Sequence, residues 1–587
     1  MRRLLATPLL LALISCSSGP TSAPAPLGVG EQAFDSNEAV LLDFEFDGTM
    51  SSTTSTVATL RNQIRSQLMF SVGQLNGLSS VGQFEKLELT NIVATGAAGA
   101  YSVTYHAKLP VAWGRKASVP ATYTLMLPGD GTTAGLDAWV STYNTTCVGG
   151  EGSGSDRGSF WYYYRPAVAA CALSPADTSM PVATVTTSVE NTTGKLPEYN
   201  KVWSDRKFNV VAMFGRNESG ATLDTDAGIR DYNTFVSTVR SYARSLQPDP
   251  ALITETPGLT NTPGSAMPQV SVHAVLPSNP GETPRELNVD VMLVGYRIYQ
   301  DGANFDAWYD PLTPTADMIL YNGHAGLGEN VRTLMGKGQF VANQYVMWMV
   351  NGCDTFAYVD PTLANRISTV NGGAPATQYL DSISNAMPSY FSRTPGGSMA
   401  MIRGLMDIAA PKTYRQIFTG IDRAQVVVVT GEEDNLFQPG MPILPGDPTG
   451  GGDAGADSGI LDGGAGTDGG AGTDGGAGTD GGAGTDGGAG TDGGAGTDGG
   501  AGTDGGAGTD GGPPPSPTTP PAPTTPPSPT TTPTTPPSPT TPPAGGDTPE
   551  PTGCACETAP GQSSPTSPLG ALGIFAAVGA VLARRRR

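Results

Sequence analysis

The reactive side chains of this sequence are concentrated in one His and one Cys, each of which follows a short apolar run. His324 follows residues 318–323, and Cys353 follows residues 345–352. A thiol and an imidazole are the usual components of a nucleophile and its base. Continuous apolar runs of this length are typical of buried strands in a parallel sheet, and sites form beyond the carboxyl ends of such strands. The pattern therefore predicts neighbouring strands that bring His324 and Cys353 to one edge of a sheet.

The elements around these runs alternate between strands and helices. The sequence predicts the following strands and helices between residues 200 and 435: strands over 207–215, 270–276, 287–294 and 424–430, and helices over 227–246, 330–335, 376–386 and 398–408. Such alternation is typical of a parallel or mostly parallel sheet with helices on both faces. The predicted fold class is therefore α/β for residues 200–435.

An apolar strand ending in His, followed by an apolar strand ending in a small residue and Cys, resembles the caspase-like cysteine peptidases. This family includes caspases, metacaspases, legumain, clostripain and the gingipains. The resemblance covers residues 200–435 and implies that His324 is the catalytic His and Cys353 the nucleophile. It also implies an oxyanion hole formed by the backbone N–H groups of Ala325 and Cys353, a protein or peptide substrate, and no cofactor.

Two positions depart from the family pattern. Ala325 stands where the family has Gly after the His, and it still supplies an N–H group. Asp354 follows the Cys, where the family often has small residues. A carboxylate there is expected to raise the pKa of the thiol, and as an alternative it would belong to a substrate pocket for a basic side chain. A non-catalytic binding protein with a degenerate caspase-like domain therefore stays open, as does a hydrolase of another acyl substrate.

Residues 31–190 are predicted to form a separate α+β domain. Its strands are expected over 37–46, 101–108 and 121–127, with a helix over 57–72. The aromatic run 160–166 fits a buried core better than a sugar-binding surface. His106 and His273 both lie in strand patterns and are interpreted as ordinary strand residues. The role of this domain stays open between a prodomain, an adhesin and a structural partner.

The cysteines of the folded part are interpreted on the expectation that the protein is exported. Export exposes the chain to oxidising conditions, so Cys147 and Cys171 are predicted to form a disulfide, which leaves Cys353 as a thiol. The scattered His residues and the lack of clustered Cys in the folded part give no metal-ligand spacing, so no metal site is expected.

The two ends resemble export and anchoring signals. Residues 1–16 have a charged start, an apolar stretch and a final Cys16, which resembles a bacterial lipoprotein signal with Cys16 as the lipidated residue. An ordinary signal peptide is the alternative. Residues 553–587 contain Cys554, a short apolar span and terminal arginines, which resembles the myxobacterial C-terminal sorting signal with processing near Cys554. A short transmembrane anchor is the alternative there. These signals imply a cell-surface or outer-membrane lipoprotein.

Residues 446–552 join the folded part to the C-terminal segment. They contain tandem Gly-Gly-Ala-Gly-Thr-Asp repeats and a Pro/Thr-rich stretch, which predict a disordered linker because the repeats contain no large apolar residue that could fill a core. The formal net charge of −21 arises largely from acidic residues in this linker, which has no Lys or Arg. With no basic stripe to contact phosphates, a nucleic-acid partner is not expected.

Overall fold

A computed structural model of the protein describes residues 37–149, 152–259 and 261–446. All of them belong to one compact unit. The predicted signal peptide with Cys16, the linker, and the sorting segment with Cys554 lie outside the described residues. Within the described part, no helix is long and apolar enough to cross a membrane.

The first half of the described chain forms a six-stranded sheet and a small two-stranded sheet. The strands are β1 (Val40–Ser52), β2 (Val81–Gly82), β3 (Glu88–Ala97), β4 (Ala100–Trp113), β5 (Thr122–Thr124), β6 (Leu127–Pro128), β7 (Thr178–Ser179) and β8 (Val182–Thr187). The order in the larger sheet is β2-β4-β1-β8-β5, with β3 also paired to β4, while β6 pairs with β7. Four helices accompany these strands: α1 (Val57–Leu68), α2 (Phe70–Asn76), α3 (Thr133–Tyr143) and α4 (Phe160–Tyr163).

The second half forms an eight-stranded sheet. Its strands are β9 (Lys207–Gly215), β10 (Ile253–Thr256), β11 (Gln269–Val275), β12 (Glu286–Val294), β13 (Met318–Asn322), β14 (Val346–Asn351), β15 (Leu380–Asn385) and β16 (Val427–Thr430). Its helices are α5 (Tyr199–Val202), α6 (Ala227–Leu246), α7 (Gly302–Leu312), α8 (Glu329–Met335), α9 (Thr362–Val370), α10 (Thr394–Met406) and α11 (Tyr414–Phe418).

The centre of the large sheet is parallel and its margins are antiparallel. The strand order is β10-β11-β12-β9-β13-β14-β15-β16. Strands β12, β9, β13, β14 and β15 run parallel to their neighbours within this group, whereas β10, β11 and β16 pair antiparallel. The predicted mixed α/β class is confirmed.

Both faces of the large sheet are buried, which explains why β13 and β14 are apolar at every position before their final Asn. In β13, Met318 and Leu320 join one apolar cluster with α6 and α10, and Ile319 and Tyr321 join another with α7, α8 and α9. This alternation follows from the two-residue period of a strand. A strand covered on both sides needs apolar residues on both sides, and that is the pattern the sequence shows.

The two sheets share a core and a backbone contact. The apolar cluster that contains Ile319 and Tyr321 continues into the residues of β1, β4 and α1–α4. Just before β1, Ala39 N donates to Val427 O, and Val427 N donates to Asn37 O, each at 2.8 Å. The first half is thus packed on the second and hydrogen-bonded to its edge strand.

The predicted helix over 376–386 is wrong. The structure has a 3₁₀ turn at Ala376–Gln378 followed by strand β15, which is buried along its whole length. Its polar residues have partners from distant parts of the chain. Asp381 Oδ2, for example, accepts hydrogen bonds from the Tyr345 hydroxyl at 2.5 Å and from Asn435 Nδ2 at 2.7 Å. This segment, which was predicted to be a helix from its local sequence, therefore forms a strand because it pairs with distant parts of the chain.

Other boundaries shift without changing the class of element. The predicted helix 57–72 is two helices, α1 and α2, joined at Met69, and the predicted strand 121–127 is divided into the short β5 and β6. The aromatic run at 160–164 is largely buried, with Phe160 and Tyr164 fully so, which agrees with the core interpretation.

Candidate active site

His324 and Cys353 reach the same sheet edge at equal offsets from two adjacent strands. Strands β13 and β14 pair in parallel from Met318↔Met347 to Asn322↔Asn351, and each reactive residue comes two positions after the last pair. Gly323 N still donates to Asn351 O at 3.2 Å, which extends the contact beyond the strands. The register of the sheet therefore places the loop that carries the imidazole beside the loop that carries the thiol.

Gly352 allows these two loops to touch. A Cβ built on Gly352 would lie 2.6 Å from Gly323 O and 3.2 Å from Ala325 N, closer than side chains are normally accommodated. Any other residue at this position would push the His loop and the Cys loop apart. The small residue before the Cys is therefore a steric requirement of the site.

The imidazole of His324 is fixed in one tautomer. Its Nε2 lies 3.0 Å from Asn217 O, and a carbonyl oxygen only accepts, so the proton resides on Nε2. Nδ1 is then the basic nitrogen of the neutral ring. Asp226 holds the Asn217 loop, because its carboxylate accepts from Asn217 N at 3.1 Å and also caps helix α6 through Ile229 N at 3.0 Å.

The backbone of the His turn is held from below by Asn330. The His324 carbonyl accepts from Asn330 Nδ2 at 2.9 Å and from the Tyr321 hydroxyl at 2.7 Å. Asn330 is fully buried, and its Oδ1 accepts from Ile298 N at 3.0 Å. These bonds tie the turn to β13, to α8 and to the segment before α7, so the imidazole stands on a rigid base.

Two aromatic rings, those of Tyr296 and Phe391, and the backbone of Ser389 cover the two reactive side chains. The ring centroids of Tyr296 and Phe391 lie 4.7 Å and 5.0 Å from that of His324. Cys353 Sγ donates to Ser389 O at 3.7 Å. As a result, His324 is 2% exposed and Cys353 is 0% exposed. In this conformation the pair is closed to solvent.

Three asparagines, which the sequence reasoning missed, form a hydrogen-bonded ladder beneath the site. Asn322, Asn351 and Asn385 end the adjacent strands β13, β14 and β15. Asn385 Nδ2 donates to Asn351 Oδ1 and to Gly352 O, both at 2.9 Å, and Asn351 Nδ2 donates to Asn322 Oδ1 at 3.3 Å. The signal was the recurrence of Asn before Gly or Ala at the end of each strand.

This ladder continues to the covering loop. The Ser389 hydroxyl donates to Asn351 Oδ1 at 3.1 Å and accepts from Gln425 Nε2 at 2.7 Å. The same residue supplies the carbonyl that accepts from Cys353. The position of the covering loop is thus set by the strand ends that position the thiol.

Asp354, proposed from the sequence as a pocket residue, is sealed against the first half of the chain. It is 0% exposed and has a left-handed backbone with φ of 51°. Asn76 Nδ2, at the end of α2, donates to Asp354 Oδ2 at 2.7 Å. Burial raises the pKa of Asp354 to about 7, although a hydrogen bond from Tyr162 and the charge of Arg165 act to lower it.

The remaining predicted residues lie away from this edge. Cys147 and Cys171 form a disulfide, the pairing expected from the sequence. His106 in β4 lies 2.9 Å from Asp47 Oδ1 and 3.1 Å from Glu45 Oε1, and His273 in β11 lies 3.5 Å from Asp290 Oδ2. Among the described residues, no group of His, Cys, Asp and Glu has the arrangement of a metal site.

No protein-family model, curated protein or solved structure matches the chain.

Proposed function

We propose that the chain is a cysteine endopeptidase of the caspase-like type, with Cys353 as nucleophile and His324 as acid and base. The observation that carries the proposal is the equal placement of these residues after paired parallel strands, together with the Nε2–H···O bond to Asn217. That bond leaves Nδ1 as the nitrogen that can take the thiol proton. Acyl transfer by a thiol requires a base beside the thiol and a third group that orients this base.

The reaction would proceed through an acyl-enzyme. The Cys353 proton passes to His324 Nδ1 while the sulfur attacks the peptide carbonyl, and the oxyanion that forms accepts bonds from the N–H groups of Ala325 and Cys353. His324 then protonates the leaving amine and the C–N bond breaks. A water molecule gives its proton to His324, attacks the thioester and releases the carboxylate and the thiol. No cofactor takes part in these steps.

Substrate can reach the thiol only after the cover moves. Phe391 and Ser389 belong to the segment between β15 and α10, and Tyr296 belongs to the segment after β12. In this proposal their displacement exposes His324 and Cys353, and it breaks the hydrogen bonds that join Ser389 to Asn351 and to Cys353. The described conformation therefore corresponds to a latent form in this proposal.

A second candidate function is a surface protein whose α/β domain binds a partner without catalysis. The complete burial of Cys353 and the sealing of Asp354 by Asn76 favour it. In that function the thiol is a small apolar core residue and the covering loop stays in place.

An electrophilic-probe experiment separates these candidates. The purified protein is treated with a panel of peptides bearing an acyloxymethyl ketone, and labelling is located by mass spectrometry. The peptidase proposal expects labelling at Cys353 that is lost in Cys353→Ala and strongly reduced in His324→Ala, with His273→Ala as the matched control. Phe391→Ala, which removes a covering ring, is probed beside the wild type. If both proteins are folded, stay unlabelled and cleave no peptide, the peptidase is excluded and the binding function is left.

We also propose that the protein is exported and retained at the cell surface or outer membrane. The support is the resemblance of residues 1–16 to a lipoprotein signal and of residues 553–587 to a sorting signal. Metabolic labelling of producing cells with an alkyne fatty acid, followed by membrane fractionation, tests it. Equal labelling of the wild type and of Cys16→Ala would reject lipidation at Cys16.

A further inference from the structure

A cleft of about 550 Å³ lies at one end of the first sheet. It is formed by the end of β1, the start of β4, the residues that lead into α3, and β7 with the residues before it. Most of the lining side chains are Ser, Thr or Tyr and carry a hydroxyl. The volume is within the range of about 300 to 1,000 Å³ that is usual for small-molecule sites.

The charge of the cleft narrows the class of ligand. Asp130 is the charged residue in its lining, and neither Lys nor Arg lines it. A phosphate, sulfate or carboxylate ligand would meet a negative charge with no basic group to offset it. A hard cation such as Ca²⁺ requires about six to eight oxygen ligands with several carboxylates, which one Asp does not supply. The lining therefore suits a neutral ligand that can exchange many hydrogen bonds.

Asp130 is oriented for such a ligand. Its Oδ1 accepts from Thr132 N at 2.8 Å, which fixes the carboxylate beside the start of α3. Among the described residues, no group donates a hydrogen bond to the other oxygen, Oδ2, and Asp130 is only partly buried. A fixed carboxylate oxygen of this kind accepts a charge-assisted bond from a ligand hydroxyl.

Tyr101 supplies a partly exposed aromatic ring in the same cleft, although part of this side chain packs against the apolar core of the first half of the chain. It pairs with Ser52 on β1 and with Gly96 on β3, so the cross-strand neighbours on both sides are small. Directly opposed residues of a sheet share a face, and larger partners would have packed over the ring. Tyr101 is therefore partly exposed at the start of β4, where its ring and its hydroxyl can contact a ligand.

We propose that this cleft binds a short neutral saccharide. Asp130 accepts bonds from sugar hydroxyls, the Ser and Thr side chains exchange further hydrogen bonds, and the Tyr101 ring packs on the apolar C–H face of one sugar ring. This site is separate from the dyad and does not depend on the proposed peptidase activity. It gives the first half of the chain a binding role of its own.

Calorimetric titration of the full protein tests the proposal. The probes are cellotriose, maltotriose and chitotriose, with tri-galacturonic acid as an acidic counterpart of similar size. We expect at least one neutral trisaccharide to bind and the acidic one to bind more weakly. Tyr101→Ala and Asp130→Asn should each weaken binding by about tenfold or more, the loss of one good interaction. Tyr101→Phe should retain most of the affinity.

The matched control is Tyr299→Ala, which removes an exposed tyrosine outside the cleft lining. Thermal melts of every variant establish that it is folded, and the comparison of Tyr101→Ala with Tyr101→Phe keeps the test decisive if Asp130→Asn is unstable. The proposal fails if no neutral probe binds up to about 10 mM. It also fails if binding is unchanged in Tyr101→Ala or if the acidic probe binds best.

Discussion

Replacing Asp354 by Asn should change how the stability of the protein depends on pH. Asp354 is 0% exposed and hydrogen-bonded to Asn76. Burial raises its pKa to about 7 from an ordinary value of 3.8, so the folded protein holds this carboxyl protonated in a range where the unfolded chain ionises it. Asn has nearly the same shape and stays neutral at every pH.

The size and sign of the effect follow from the pKa shift. Because the pKa of Asp354 is raised in the folded state, its carboxyl contributes to the free energy of unfolding. This contribution is fully present below pH 3.8 and is lost as the pH rises through about 7. The shift of about 3 pKa units corresponds to about 4 kcal/mol at 1.36 kcal/mol per unit. From pH 4 to pH 8, the free energy of unfolding of the wild type should therefore fall by up to about 4 kcal/mol more than that of Asp354→Asn.

Urea unfolding at several pH values between 4 and 8 measures this difference. Comparing the variant with the wild type at each pH cancels the titration of all other groups. Gly396→Ala, which adds a methyl group where nothing lies within 4 Å and changes no titrating group, is the control and should show a flat difference. If the Asp354→Asn difference is also flat, or if the variant loses stability relative to the wild type as the pH rises, the carboxyl is not held in a desolvated site and the reasoning is refuted.

Four further changes test other parts of the structure. Phe391→Ala should increase the rate of Cys353 labelling by electrophilic probes, and no increase would show that this ring does not limit access. Asn385→Ala should cost about 2 kcal/mol of unfolding free energy, because it leaves the buried carbonyl of Gly352 without this donor; urea unfolding measures it, and a loss below about 0.5 kcal/mol would contradict the ladder. Gly228→Ala places a Cβ 1.9 Å from Gly215 O, so it should lower the melting temperature clearly, whereas Gly396→Ala meets nothing within 4 Å and should not. Replacing both Cys147 and Cys171 by Ala should cost about 3 kcal/mol, since the bridge closes a segment with a sequence separation of 24, and unchanged stability under oxidising conditions would refute this.

Long elements with a clear period were predictable from local sequence. Strand β9 and helix α6 have the same bounds in the structure as in the prediction, 207–215 and 227–246. The helix carries a continuous apolar stripe, with Ile229, Phe235 and Val239 buried, and the strand ends in Gly215 at a tight approach to the helix. Such signals are contained within each segment, so no distant partner is needed to read them.

Strand β15 was not predictable for the opposite reason. Asp381, Ser382 and Asn385 are polar, yet they are buried in the middle of a sheet. Their presence there is stabilised by hydrogen-bond partners such as Tyr345 and Asn435, which come from other parts of the chain. A buried polar group is acceptable only when its partners are in place, and the local sequence does not show them.

The sequence by itself determined where the strands that precede His324 and Cys353 run and that both residues follow them at one edge of the sheet. Apolar runs that end in Gly, followed by His324 and Cys353, are enough to predict two buried strands and a shared edge. Only the tertiary structure decided that Asn217 fixes the imidazole, that Phe391 covers it, and that Asp354 is sealed by Asn76. A strand is encoded in the local pattern of apolar residues. The burial of Asp354 and the tautomer of His324 instead depend on groups far away in the chain, which only folding brings within contact distance.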